Sequence, residues 1–196
     1  MTNYTTLLAS IASWLNRSDQ TANIPDFLTL AESAIADDVR LQGMIVRSTL
    51  STVAAQDYIA LPDDWLEFVY VKSDSLPLEF MPADRLRAAS LQTGALENYS
   101  IEGGRLLLSP TPAAVTTIDI SYFAKLPVLS GTSTNFLLTR WPQIYLFKAL
   151  ANGFRFLMDS PHADSWDALY AAEVAKAQTV DKAVLSSGSP LRIRTR

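Results

Sequence analysis

The spacing of apolar residues changes twice along this chain, and that change limits the folds it can adopt. Apolar side chains recur at helical spacing up to about residue 43, at a period of two between residues 44 and 128, and at helical spacing again from residue 129. A period near 3.6 is typical of amphipathic helices, and a period of two is typical of half-buried strands. The sequence therefore predicts a β-rich segment inserted between two helical segments.

The first helical segment is expected to form two helices. Residues 4–16 carry apolar side chains at helical spacing after residues that can cap a helix. A second stripe begins at Pro25, a residue suited to a first helical position, and Gly43 is expected to end this helix after about residue 42. Charged residues on its polar face are interpreted as ordinary solvated side chains: Glu32, Asp37, Asp38 and Arg40.

The second helical segment also predicts two helices. The stretch TRWPQIYLFKALANGFRFLMDSP places apolar side chains on nearly every helical face, so we expect the most buried element there, ended by Ser160 and Pro161. A last helix is expected over about residues 163–185. Its apolar side carries Trp166, Leu169, Tyr170, Val174, Ala177, Val180 and Val184.

The middle segment, residues 44–128, is rich in β-branched residues and predicts five or six antiparallel strands in a sandwich or barrel-like sheet. A hairpin is expected to turn at Glu102-Gly103-Gly104-Arg105. One short helix is expected between Pro82 and Gly94, which would end it. The last strand alternates Ile118, Ile120 and Tyr122 with Asp119, Ser121 and Phe123.

These predictions divide the chain into three parts. Residues 1–43 and 129–185 would form a helical domain, residues 44–128 an inserted β-rich domain, and residues 186–196 a flexible basic C-terminal arm. The predicted fold class is α+β, with a four-helix bundle-like core from the two chain ends, an inserted antiparallel β-rich unit and an extended arm.

Composition excludes several classes of protein. The 196 residues include no cysteine, so the chain can form neither a disulfide framework nor a thiolate zinc site. The N-terminus lacks the pattern of a signal peptide, and no stretch approaches the roughly 20 apolar residues that span a bilayer, so we expect synthesis in the cytoplasm and no membrane partner. The net charge of −4 should repel a polyanion such as DNA.

No set of residues indicates catalysis. The single histidine, His162, lies in a polar stretch and is interpreted as a cap or loop residue, and no Gly-x-Ser-x-Gly elbow supplies a nucleophile. The adjacent carboxylates of Asp63 and Asp64 are interpreted as a turn that accepts backbone N–H bonds, and those of Asp37 and Asp38 as surface charge. Because no phosphate-binding glycine motif occurs either, we predict no catalytic, cofactor-binding or metal-binding residues.

The C-terminal arm is the one strongly basic part of the chain. Its sequence SSGSPLRIRTR holds three arginines and no acidic residue. One interpretation is a frayed terminus whose charges aid solubility. The other is an extended docking strand that presents apolar side chains on one face and guanidinium groups on the other, to a sheet edge or an acidic groove.

Several segments together resemble a known family. They are IPDFLTLAESAIADDVRLQGM, LPDDWLEFVYVKSDSLPLEFMPADRL, YSIEGGRLLLSPTP, ISYFAKLPVLSGTSTNFLLTRWPQIYLFKALANG and WDALYAAEV. In this order they resemble the head-to-tail adaptor proteins of tailed bacteriophages, particularly those of short-tailed phages, which are also called head completion or tail tubular proteins.

The resemblance implies a structural role in the virion, at the head-tail junction, without catalysis or a cofactor. Members of the family bind beneath the portal protein of a DNA-filled capsid, usually as a ring of twelve copies. They provide the platform for the next tail component, a nozzle-type protein. The implied partners are therefore the portal protein, neighbouring copies and that tail protein, while genomic DNA passes through the channel without specific binding.

The resemblance also implies a use for the arm. An extended C-terminal arm reaches into the portal assembly in this family, and here that arm would be residues 186–196. Its portal-docking residues would be Leu191, Arg192, Ile193, Arg194 and Arg196. The competing prediction is a non-catalytic ligand- or protein-binding module that acts as a dimer, followed by an enzyme that depends on buried carboxylates.

Overall fold

A computed structural model describes residues 1, 3–89 and 93–186 of the chain. Its helices are α1 (Tyr4–Leu15), α2 (Ile24–Asp38), α3 (Ala83–Ala89), α4 (Phe136–Arg140), α5 (Pro142–Phe156) and α6 (Ser160–Ser186). Short 3-10 segments cover Ser18–Asn23 and Gln42–Met44.

The strands are β1 (Ile45–Ser51), β2 (Tyr58–Ala60), β3 (Trp65–Ser73), β4 (Leu76–Pro77), β5 (Glu79–Phe80), β6 (Thr93–Gly94), β7 (Asn98–Glu102), β8 (Arg105–Ser109), β9 (Thr111–Pro112) and β10 (Thr117–Ala124). The mixture of helices and sheets confirms the α+β class.

Contacts within the chain divide it into two units. The helical unit comprises Met1–Met44 and the chain from Leu126 onward, and the β unit comprises Ile45–Lys125. Whether each unit folds as an independent domain stays a prediction.

Helix α5 lies at the centre of the helical unit. It packs against α1, α2, α4 and α6, and seven of its fifteen residues are buried, compared with five of fifteen in α2. Gly153 allows α5 to pack closely against α1 and α2, because a Cβ atom at this position would lie 3.2 Å from a methyl group of Leu15 and 3.4 Å from the ring of Phe27. The expectation that this segment is the most buried helix is confirmed.

Three predicted helix boundaries are wrong. The helix predicted through TRWPQ is split at Trp141, because the residue before a proline avoids helical backbone angles and Pro142 starts α5. Ser160 and Pro161 do not end a helix but begin α6, where a proline is tolerated in the first turn. Helix α6 also continues to Ser186, which was predicted to belong to the arm.

Gly43 serves packing instead of ending α2. Helix α2 ends at Asp38, four residues earlier than about residue 42, and Gly43 lies in the 3-10 segment Gln42–Met44. A Cβ atom at this position would lie 2.4 Å from the Cζ atom of Phe136. Only glycine leaves room for that aromatic ring.

The apolar side predicted for α6 is partly wrong. Tyr170, Val174 and Ala177 are buried as predicted, but Leu169, Val180 and Val184 are exposed. The buried side instead includes Ala163 and the carboxylate of Asp181.

Two four-stranded sheets form the β unit. The strand orders are β1-β10-β3-β4 and β2-β8-β7-β5, and a two-stranded sheet pairs β6 with β9. One core contains side chains from both larger sheets, among them Val71, Leu106, Leu108, Ile118 and Ile120. The prediction of an entirely antiparallel unit of five or six strands is wrong, because β5–β7 and β6–β9 pair in parallel and the unit holds several further two-residue strands.

The predicted hairpin is confirmed. Glu102 pairs with Arg105, and the two glycines between them have φ values of 56° and 74°, as a two-residue turn requires. Ile118, Ile120 and Tyr122 of β10 point into the core as predicted, although Ser121 is buried as well. Gly94 lies in β6 and is not the end of the short helix.

Candidate assembly surfaces

The predicted docking residues of the arm lie outside the described part of the chain. These are Leu191, Arg192, Ile193, Arg194 and Arg196. Helix α6, which leads to them, is described up to Ser186. The candidate site therefore consists of the contacts that fix this helix and the exposed surface around it.

Asp181 fixes the C-terminal half of α6. Its side chain is 9% exposed, and its Oδ2 atom accepts a hydrogen bond from the backbone N–H of Gln42 at 2.7 Å. Gln42 begins a short 3-10 segment, whose first N–H groups lack partners within the segment. One turn earlier, Gln178 donates a hydrogen bond to the backbone carbonyl of Asp38. These bonds join α6 to the end of α2 and the residues that follow it.

A polar network fixes the middle of α6, and we call it the α6 network. The Tyr170 hydroxyl donates to Asp38 at 2.9 Å, Lys148 pairs with Asp167 at 3.0 Å, and Arg155 pairs with the other oxygen of Asp167. The Lys148 ammonium also lies 4.9 Å from the centre of the Tyr170 ring. Because Lys148 and Asp167 are mostly buried, this pair is screened less by water than a surface pair would be.

Burial and the Asp38 carboxylate both raise the pKa of the Tyr170 hydroxyl, with burial the larger cause. The hydroxyl therefore stays protonated and keeps its role as a donor. Three charged residues of the predicted second helix are not the ordinary solvated charges that were expected, because Glu32, Asp38 and Arg40 all form hydrogen bonds within the helical unit.

The segment before α4 is fixed by a second set of bonds. Glu32 accepts a hydrogen bond from the backbone N–H of Leu129 at 2.8 Å, and partial burial raises the pKa of this carboxyl group. Asn135 caps α4 through the N–H of Leu138 and donates to the hydroxyl of Tyr145 at 2.8 Å. Burial raises the pKa of Tyr145 to about 12. These contacts hold the segment against α2 and α5.

His162 lies in the first turn of α6 and is therefore not the cap or loop residue that was predicted. Its Nδ1 atom lies 2.8 Å from an Asp159 oxygen, and its ring stacks on that of Phe154. The hydrogen bond from His162 lowers the pKa of Asp159. The contact holds the His162 side chain against Asp159, the residue that precedes α6.

The turn predicted at Asp63 and Asp64 is confirmed, but the role of its side chain differs. Among the residues that the structure describes, no backbone N–H donates to the Asp64 carboxylate. It accepts the hydroxyl of Tyr122 at 3.0 Å, and burial together with this carboxylate raises the pKa of Tyr122. The contact ties the turn to strand β10.

Among the described residues, no group of three or more histidine and acidic side chains is placed to hold a metal ion. Within the same part of the chain, none of the helices combines the length and apolar character needed to cross a bilayer.

The helical unit exposes several large apolar side chains. Trp14 is 52% exposed, and its ring packs edge to face on Trp166, which also contacts Phe147. Met158, in the turn between α5 and α6, is 90% exposed. Further exposed members are Leu30, Phe156, Leu169, Val180 and Val184. Single exposed apolar side chains are common on protein surfaces, so these residues are candidates for contact with a partner only where they lie together.

Asp181 was not predicted to be buried, although its position continues the buried face of α6. The buried positions Ala163, Tyr170, Val174 and Ala177 follow the spacing of one helical face, and continuing that spacing by four residues reaches Asp181. The predicted apolar side includes Tyr170, Val174 and Ala177 correctly, but it continues to the exposed Val180 and Val184 instead of Asp181.

The chain matches a known protein family. A protein-family model described as SU10 adaptor protein matches residues 2–194 of the chain. This match confirms the resemblance to phage head-to-tail adaptors that was drawn from the sequence. No curated protein matched the sequence.

Proposed function

Since this chain belongs to the SU10 adaptor protein family, we propose that it is a structural protein of a tailed bacteriophage, located in the virion at the head-tail junction. It binds beneath the portal protein as a ring of twelve copies and carries the next tail component, a nozzle-type protein. The observation that carries this proposal is the family match, which spans residues 2–194 and thus both structural units.

The helical unit supplies the body of the ring in this proposal. Helices α1, α2 and α6 all pack against α5, and we propose that they form a four-helix bundle into which the β unit is inserted as a separate domain. Contacts between neighbouring copies would bury the exposed apolar side chains of the helical unit, such as Trp14 and Met158. No chemical step is part of this role.

The arm makes the specific contact with the portal. Leu191 and Ile193 are the apolar anchors, and the three arginines of the arm pair with acidic portal residues. The α6 network and Asp181 support this proposal, because a helix held at several points fixes where the arm begins. A fixed starting point lowers the ordering cost of docking.

The charge of the chain suits a channel through which DNA must move. The net charge is −4 although the arm holds three arginines, so the remainder of the chain is more acidic still. An acidic wall repels the phosphate backbone at long range and does not retain the passing genome.

Co-purification with the portal protein of the same phage tests the proposal. The intact chain and a chain that ends at Ser186 would each be co-expressed with that portal protein. The mass of each purified complex would then be measured, and the complex would be imaged. We expect the intact chain to form a portal-bound ring and the shortened chain to bind weakly. Equal binding of the two chains would place the contact with the portal in the helical unit. A stable free dimer that does not bind the portal protein would favour the binding-module prediction.

A further inference from the structure

Strand β1 leaves one edge of its sheet open. In the order β1-β10-β3-β4, β1 is terminal, and seven consecutive residues pair with β10 alone. Among the residues that the structure describes, no backbone group of Ile45–Ser51 forms a hydrogen bond on the other side of the strand. Half of its N–H and C=O groups therefore face outward and can accept another strand.

The edge carries few of the features that prevent pairing. Natural edge strands are protected by charges, prolines, bulges or short length. β1 has seven residues, an unbroken register with β10, no proline and a single charged side chain, Arg47. Such an edge is suited to the addition of an extended segment from a partner.

A polar groove lies beside this edge, on the sheet face that points away from the core. Its volume is about 480 Å³, and its lining includes side chains from β1, β3 and β10. Arg47 of β1 lies opposite Ser121 of β10, which in turn lies opposite Tyr70 of β3. In the same way Thr49 lies opposite Asp119, which lies opposite Lys72. Five of the lining side chains are Arg47, Thr49, Tyr70, Lys72 and Asp119.

Neither of the two cations in the groove forms an ion pair within the described residues, although Asp119 is the cross-strand neighbour of Lys72. Arg47 forms no ion pair there, and the Lys72 ammonium lies 4.6 Å above the Tyr70 ring. The one carboxylate, Asp119, accepts the Thr49 hydroxyl at 3.0 Å. The groove therefore holds a local excess of positive charge on a chain whose net charge is negative.

From this arrangement we infer that β1 is a docking edge for an extended acidic segment of a partner protein. The segment adds to the sheet through main-chain hydrogen bonds, and its acidic side chain reaches Arg47 on the adjoining strand, while Lys72, two strands farther into the sheet, adds to the positive potential of the groove. An arginine can bind a carboxylate through two parallel hydrogen bonds, which fixes the register of the added strand. The inference concerns the β unit and does not depend on the portal contact or on the ring.

Protein carboxylates suit this groove better than nucleic-acid phosphates. Sustained binding of DNA requires many neutralised phosphates, and each lost cation weakens it. Two cations beside Asp119, on an acidic chain, cannot supply that attraction, whereas one carboxylate needs only a local partner.

Titration of the intact, isotope-labelled chain with two capped peptides tests the inference. Both peptides have seven alternating threonine and valine residues, and the central residue is glutamate in one and glutamine in the other. We expect the glutamate peptide to shift the amide resonances of β1 and to bind about fivefold more tightly than the glutamine peptide. The preference should weaken as salt is added.

Two variants make the result specific. Arg47→Gln changes an exposed side chain and should abolish the preference for glutamate. Arg105→Gln is the matched control, because Arg105 is also an exposed cation of the β unit but stacks on Tyr58 in the other sheet, and it should leave the preference unchanged. The inference is overturned if β1 does not respond to either peptide, if both peptides bind equally, or if a duplex oligonucleotide displaces the glutamate peptide from this groove.

Discussion

The carboxylate of Asp181 on α6 accepts a hydrogen bond from the backbone N–H of Gln42 at 2.7 Å. The two residues are far apart in the sequence, so this bond closes a long loop of the chain. It fixes the last turns of α6, from which the arm begins.

Asp181→Ala should destabilise the protein by about 1–3 kcal/mol, because the backbone N–H of Gln42 would lose a charged acceptor at a partly buried site. Urea unfolding followed by circular dichroism measures this difference. Asp164→Ala on the same helix is the control, because Asp164 is exposed and its loss should change stability little. Equal losses in the two variants would show that the bond contributes nothing specific.

Gly43→Ala should destabilise the protein by about 1–3 kcal/mol through overpacking against the ring of Phe136. Adding Phe136→Leu should recover part of the loss, since the smaller side chain leaves room for the new methyl group. Thermal unfolding of both single variants and the double variant gives the coupling. Gly94→Ala, where the nearest side-chain atom would be 3.7 Å away, should have a small effect. Losses that simply add would contradict the steric explanation.

Tyr170→Phe removes the hydroxyl that donates to Asp38 and should cost about 1 kcal/mol. A double-mutant cycle with Asp38→Ala isolates this bond, because both residues also contact other groups. We expect the second substitution to cost less once the first is present. Independent effects would mean that the bond does not stabilise the α6 network.

Stability should depend on pH through Glu32. Burial raises the pKa of this group in the folded protein above its ordinary value of 4.5. A raised folded-state pKa contributes stability that is present below the unfolded-state pKa and is lost as pH rises through the folded-state pKa. Glu32→Gln should therefore stabilise the protein relative to the parent at pH 7, and the difference should shrink below about pH 4.

The glutamine keeps an oxygen that can accept the N–H of Leu129. Urea unfolding of both proteins at the two pH values checks the sign. A variant that is less stable than the parent at pH 7 would contradict this expectation. It would show that the hydrogen bond from Leu129 stabilises the charged carboxylate of Glu32 by more than partial burial destabilises it.

Elements with a strong local signal could be predicted from the sequence. The hairpin at Gly103 and Gly104 could be predicted because two residues that tolerate positive φ lie between two strand-like segments. The burial of α5 could be predicted because apolar residues occupy nearly every face of the helix. The parallel pairings of β5 and β6 could not be predicted, because two-residue strands are too short to show a period.

The candidate site was harder to predict for a different reason. Sequence patterns assign charged residues to solvent, yet Glu32, Asp38 and Asp181 each accept a hydrogen bond from a distant part of the chain. Those partners are brought together only by tertiary packing. The start of α6 was predicted wrongly because a proline can either follow the end of one helix or lie in the first turn of the next.

The mass of the complex with the portal protein tests the central proposal most directly. Native mass spectrometry of the co-expressed proteins would count how many chains of 21.5 kDa the portal ring holds. The proposal predicts that twelve chains bind each portal and that almost none bind when the chain ends at Ser186. A chain that forms only a free dimer, with no mass added to the portal, would contradict the assignment of this protein to the head-tail junction.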